Sequence, residues 1–424
     1  AFKKINFMRY SGVFLLLIII FLFNNCGGGG GYTPSVPVYT PTTTPVVFPT
    51  PSTDVSWTVM VYMNGNGSLE SITDIKMNEL DSLPSTSRVN ILVQQSKLSQ
   101  GGKAKRYHTG TEGAIDDLDL TDMASPRELK DFIRWSKEKF PADYYILNIF
   151  SHGGGWKGLL RDEVSGHVMD IAQLKEALSG EGVDIVSFSS CSMATVEVSY
   201  ELKDSCNILI SSQDDVPITG WPYDIILDSL LENPRQTPEG FSKTITDDYI
   251  NYYSGMNMTN MSLSVIDLKK MSFLVDKVND FLINNPDNPE EIKKNRENSL
   301  LFYNKNYIDT ETFFNLIASS TLYSAEVKNS AEDVLYALKD SLIIFKKTGG
   351  STSAKGISLY FSEDTDNMVD FNNNSYSSLD FGYNCNWEEF LVYMSQGAGK
   401  SQNLHNSCFI YSLYFLQGVL KLSE

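Results

Sequence analysis

With 424 residues and a 42% hydrophobic content, the chain has room for a large core, in one domain or two. Its 34 Lys and Arg against 52 Asp and Glu give a net charge of −18, which excludes a general nucleic-acid binder; a cationic partner or plain solubility fits that sign. The five cysteines, Cys26, Cys191, Cys206, Cys385 and Cys408, form no CxxC pair, which excludes a disulfide-dense scaffold and leaves Cys206 and Cys385 as inert buried thiols.

Residues 1–25 have the make-up of an export signal. Lys3, Lys4 and Arg9 precede the apolar run Val13 to Phe23, which falls short of the ~20 residues a membrane-spanning helix needs. Cys26 follows directly and leads into five glycines, an arrangement similar to a bacterial lipoprotein processing site that would lipidate Cys26. Asn25 is unusual before such a cysteine, and an uncleaved signal anchor is the competing reading. Residues 26–54, rich in Gly, Pro and Thr, cannot bury a core and read as a tether.

Trp57 to Met63 is the first expected strand, closed by the turn Asn64-Gly65-Asn66-Gly67. From about Ser68, Leu69, Ile72, Ile75, Leu80 and Leu83 recur at helical spacing. Asn90 to Gln95 is a second strand, and Lys103 to His108 begins a β-excursion. Ser125 and Pro126 open a helix that ends by Phe140-Pro141, and Tyr144 to Phe150 is the next buried strand. A short strand at Gly166 to Met169 precedes a helix capped by Asp170 and stopped by Gly180. Asp184 to Ser190 is a strand, Ser192 to Leu202 a helix, and Asn207 to Ser212 another strand. This alternation predicts an α/β fold with a mainly parallel sheet flanked by helices. In the second half, 240–253 and 267–285 read as helices, 286–295 as a polar connector, 313–346 as largely helical with a break near Ser319, 356–361 as a strand, 372–375 as a loop and 387–394 as a closing helix. The apolar tail, 397–424, docks on the core, packs on a partner or is unformed.

Two of these strands end in reactive side chains. His152 follows Tyr144–Phe150, and Cys191 follows Asp184–Ser190. In open α/β sheets ligands bind at the carboxyl edge, so a thiol and an imidazole there suggest a nucleophile pair. The helix expected from Ser192 would place Cys191 at its amino end and favour the thiolate. His152 would take the proton, and the N–H groups of Gly153 and Cys191 would face the oxyanion. Either residue alone is more often a turn histidine or a core cysteine. His108 and His167 read as surface or satisfied residues, and no His/Asp/Glu spacing suggests a zinc site.

Ordered pieces of this sequence resemble the clostripain family of cysteine peptidases. They are Trp57–Met63, Leu129–Trp135, Phe140–Tyr145, Ser151–Trp156, Cys191-Ser192-Met193, Val196-Glu197-Val198, Tyr200-Glu201-Leu202, Gly220–Tyr223, Ser262–Asp267, Tyr307–Asp309 and Gly356–Phe361. The resemblance implies a caspase-like fold, with the catalytic core over 55–225 and the rest of the peptidase, a mixed helical extension, over 226–396. It implies a His152–Cys191 dyad that forms a thioester with a polypeptide substrate and needs no cofactor for the chemistry. In the family, cleavage usually follows Arg or Lys, some members cut themselves to mature, and calcium supports activity in some. The family's usual aspartate two residues before the nucleophile is Ser189 here, so a basic preference loses its counter-charge. The pocket candidates are Ser189, Asp214, Asp215, Thr219 and Trp221, with a solvated turn as the alternative for the two aspartates. Lys157 and Arg161 are either a self-cleavage stretch or two surface charges. The expectation is an exported, lipid-anchored endopeptidase of the bacterial envelope, with a membrane-bound binding module as the alternative and acyl transfer to an amine as a third.

Overall fold

The computed structural model describes residues 55–284, 288–362 and 368–396. The expected signal, Cys26, the tether and the apolar tail lie outside the described residues. The strands are β1 (Trp57–Met63), β2 (Val89–Lys97), β3 (Lys103–His108), β4 (Asp116–Leu120), β5 (Tyr144–Phe150), β6 (Leu159–Arg161), β7 (Val168–Met169), β8 (Val183–Ser189), β9 (Cys206–Ser211), β10 (Met261–Asp267), β11 (Leu301–Phe302), β12 (Tyr307–Asp309), β13 (Ile343–Gly349) and β14 (Ser358–Tyr360). The main sheet runs β13-β10-β9-β8-β5-β1-β2-β3-β4. Its centre, β9-β8-β5-β1-β2, is parallel, and antiparallel strands close both edges.

The parallel centre is apolar on both faces because helices cover both. Met60 and Tyr62 of β1 point into one core, while Val59, Val61 and Met63 point into the other. The second core is roofed by α1 (Glu70–Asp81), which lies with the later helices Tyr223–Glu232 and Pro238–Gly255. The first is roofed by α2 (Pro126–Lys139), α3 (Ile171–Leu178), α4 (Val196–Glu201) and helices of the second half. Asp170 caps α3 in a full capping box with Gln173, as its sequence position suggests. No described helix is long and apolar enough to cross a membrane.

Three segments depart from expectation. The polar run after residue 286 contains a helix, Pro289–Asn298, whose buried face carries the polar Asn295 and Arg296 beside Ile292, with Pro289 also buried, so that apolar periodicity alone does not mark it. Ile343 to Gly349 is a strand, not the end of a helix, because it pairs with β10 at the sheet edge and β-branched residues accept that pairing. The stretch after Cys191 is not helical until Val196, where the Thr195 hydroxyl accepts the Val198 N–H at 3.2 Å. Ser192 is left-handed at φ 58°, its N–H donates to Asp214 O, and the Ala194 N–H donates to Ser212 O.

Candidate active site

β5 and β8 are parallel neighbours with Phe150 opposite Ser189, so both chains leave the sheet at one edge. The Ser151 and Ser190 hydroxyls are 3.2 Å apart and tie the two exits together. A Cβ on Gly153 would lie 2.7 Å from the Cys191 carbonyl oxygen and 3.0 Å from both Ser190 Cβ and Met193 Sδ. Glycine is therefore required where the His152 loop crosses the Cys191 loop. The structure thus lays Gly153, the residue after His152, against Cys191, and no described acceptor takes the Gly153 or Cys191 N–H. His152 is exposed, with Nε2 2.8 Å from the Ser68 hydroxyl in the turn after β1, which leaves Nδ1 as the other ring nitrogen.

Cys191 is half-buried. Its sulfur accepts the Val216 N–H at 3.3 Å. Burial pushes the thiol up, the Val216 N–H opposes this, and the Asp215 carboxylate adds to the rise. The expected helix dipole does not act on it, because α4 starts too late in the chain. Alkylation of Cys191 by iodoacetamide is thus expected to be slower at pH 7 than that of an unperturbed cysteine, and to accelerate as pH rises through the raised value. Peptide-mapped alkylation rates between pH 7 and 10 check this. Cys206, buried and pushed up to about 12, stays inert throughout.

The remaining glycines answer to aromatic rings. Gly155, at φ +63°, faces the Tyr307 hydroxyl too closely for any side chain. That hydroxyl donates to Gly154 O at 3.3 Å and accepts the Trp156 N–H at 3.1 Å. The protein's own phenol is thus a sufficient reason for glycine at 155.

The pocket candidates separate. Ser189 is buried, its hydroxyl donating to Asn148 Oδ1 at 3.4 Å beside the Tyr223 hydroxyl, which donates to the same oxygen at 2.6 Å. Gly220 packs on it: a Cβ there would meet the Phe150 ring at 2.7 Å and Ser189 Cβ at 3.1 Å. Trp221 is buried, and its carbonyl accepts the buried Lys76 ammonium, itself bonded to Glu79. Thr219 and the Tyr253 hydroxyl are 2.7 Å apart. Asp214 Oδ1 accepts the Asp215 N–H at 2.9 Å, closing a local turn, whereas Asp215 is exposed next to the thiol. Lys157 is not a surface charge: it is buried, with its ammonium over the Trp156 and Tyr360 rings, while Arg161 is exposed. Among the described residues, no group of three His, Cys, Asp or Glu could hold a metal ion.

The sequence profile of the Clostripain family matches residues 61–394. This chain belongs to the clostripain family. With that it is classed among the cysteine-type peptidases, on a caspase-like α/β fold. Clostripain from Hathewaya histolytica is 26% identical over 130 residues, which cover 26% of this chain and 25% of that protein, so the match spans a quarter of the relative's length. A secreted C11 cysteine protease from Bacteroides thetaiotaomicron, solved with an irreversible peptide inhibitor, is similar over 78% of this chain and 99% of its own, with a TM-score of 0.62 and 20% identity. An inactive zymogen C11 protease from Parabacteroides distasonis is similar over 80% and 99%, with a TM-score of 0.58 and 18% identity. Both likenesses show the fold.

Beyond the residues that suggested the clostripain family, the site contains two that sequence reasoning missed. Ser68 holds the histidine and Val216 holds the thiol. Ser68 carries a weak signal, a hydroxyl just after a Gly-rich turn at a strand's carboxyl end. Val216 acts through its backbone and carries none.

Proposed function

We propose that this chain is a cysteine endopeptidase in which Cys191 is the nucleophile and His152 the general base. What supports this is the contact of the two loops at the carboxyl edge of β5 and β8, where Gly153 lies against the Cys191 carbonyl. The Cys191 proton passes to His152 and the sulfur attacks the substrate carbonyl carbon. The N–H groups of Gly153 and Cys191 stabilise the resulting oxyanion. His152 returns the proton to the leaving amine, giving a thioester. Water, deprotonated by His152, then attacks the thioester, releases the acid and restores the thiol. These steps use the chain's own groups and require no cofactor.

Ser68 positions the imidazole through Nε2, leaving Nδ1 for proton transfer. Ser68→Ala is expected to lower kcat/KM about threefold to tenfold, the effect of one exposed hydrogen bond. The loss should fall mainly on kcat and be partly rescued by Ser68→Thr; steady-state kinetics of the three forms check it.

Ser189, Gly220 and Trp221 form the uncharged part of the P1 pocket, with Thr219 at its side. A basic P1 side chain would pair with Asp215, the exposed carboxylate, rather than with Asp214, whose oxygen closes its own turn. In this reading residues 55–396 are the peptidase, with 55–225 carrying the dyad. Residues 1–25 export it, and lipidated Cys26 with the tether to 54 holds it at the envelope. Cleavage-site profiling on a diverse peptide pool, with and without calcium, comparing the full chain with Cys191→Ala, tests turnover and P1 preference together. Cleavage that persists in Cys191→Ala ends the proposal; peptide binding without cleavage by either form favours the binding-module reading, which the altered Ser189 position motivates.

A further inference from the structure

The turn between β11 and β12 is the most strained backbone near the site. Tyr303, Asn304 and Lys305 lie at φ 43°, 53° and 64°, three consecutive left-handed residues without a glycine. L-residues adopt this conformation at a cost, and it persists only where surrounding contacts impose it. Here the contacts come from beneath. Arg296 is buried; its Nη2 donates to Lys305 O at 2.5 Å and its Nε donates to Phe361 O at 2.7 Å. The Asn306 N–H closes the turn on Tyr303 O at 3.1 Å, and the Phe361 N–H donates to Asn306 O.

The clamped turn delivers the Tyr303 ring to the dyad loops. A Cβ on Gly154, two residues past His152, would lie 3.3 Å from the Tyr303 hydroxyl and 2.8 Å from the Phe371 ring. Tyr303 packs on Tyr307 at 6.1 Å between ring centroids, and Phe371 is nearly half exposed. Burial, then the charges at Cys191 and Asp215, push the Tyr303 phenol up, so it is a protonated donor beside the loop that carries His152. No described residue accepts a hydrogen bond from it. An extended polypeptide laid beside Cys191 presents backbone carbonyls at regular spacing and would supply the acceptor.

We infer that Tyr303 is a substrate-binding residue. Its ring, with that of Phe371, walls the cleft beside Cys191, and its hydroxyl donates a hydrogen bond to a backbone carbonyl of the bound polypeptide. This rests on the peptidase reading proposed above.

The test is Tyr303→Phe in the full chain, which keeps the ring and removes only the donor. The expected result is a three- to tenfold higher KM for peptides that the unaltered protein cleaves, with kcat unchanged. Alkylation of Cys191 by iodoacetamide, a probe too small to span to Tyr303, should proceed at the unaltered rate. Unchanged KM, or a lower kcat accompanied by slower alkylation, overturns the inference while leaving the peptidase reading intact. If the unaltered protein cleaves no peptide, the peptidase reading fails and the inference falls with it.

Discussion

Cys191→Ala is expected to lower kcat/KM for peptide hydrolysis by roughly 10⁴-fold or more, because no second thiol or hydroxyl occupies the nucleophile's place. Two hydroxyls flank it in the chain, and both are buried: that of Ser190 against Ser151 and the Ile149 carbonyl, and that of Ser192 on the other side. His152→Ala should cost a comparable factor, and the double variant little more, since the two groups act as one unit. Loss of fold would not explain such a result. Cys191 is only half-buried and its sulfur bonds to the backbone of Val216, so truncation should leave the melting temperature nearly unchanged. Kinetics under reducing conditions, paired with thermal melts, decide the matter. Hydrolysis by Cys191→Ala within tenfold of the unaltered rate would remove the thiol from the mechanism.

The positions of His152 and Cys191 at strand ends were legible because β5 and β8 are short, apolar and bounded by breakers, a pattern that buried parallel strands share. Their adjacency was not legible. It depends on the crossover order β1-β5-β8, and periodicity within a strand carries no information about its neighbour. The residues after Cys191 depart from the expected helix for a related reason. Ser192 to Glu201 has acceptable helix composition, but the Ser192 and Ala194 N–H groups find carbonyls on the 212–214 loop, and the Ser358 N–H takes Ala194 O at 2.9 Å. Long-range pairing decides that stretch against local propensity. The same holds for Ile343–Gly349, drawn into the sheet by β10. Tyr303 could not be found from sequence at all, since its role depends on a backbone conformation that Asn304 and Lys305 share without any glycine to mark it.

Removing the charge of Glu201 should stabilise the protein at alkaline pH. Glu201 ends α4, the first helix after the nucleophile, and lies almost wholly buried. Burial pushes its carboxyl from 4.5 up to about 7, against the Phe381 N–H, which donates to Oε1 at 3.0 Å, and the Lys175 ammonium 3.7 Å from Oε2. The sign follows from proton binding. The folded form holds the proton more tightly than the unfolded chain, so this group's contribution is fully present below about 4.5 and is lost as pH rises through about 7. By pH 8 the loss amounts to about 2–3 kcal/mol for this one side chain. Glu201→Gln cannot ionise and keeps an oxygen for the Phe381 N–H. The fall in unfolding free energy between pH 5 and pH 8 should therefore be smaller in the variant by that amount. Glu197 and Asp309, also buried and also pushed up, contribute to the slope of both forms, so the difference between them is the quantity to read. Urea melts at both pH values supply it. Equal slopes would mean that Lys175 or water neutralises Glu201 in the fold, and that the helix behind Cys191 is insensitive to pH over this range.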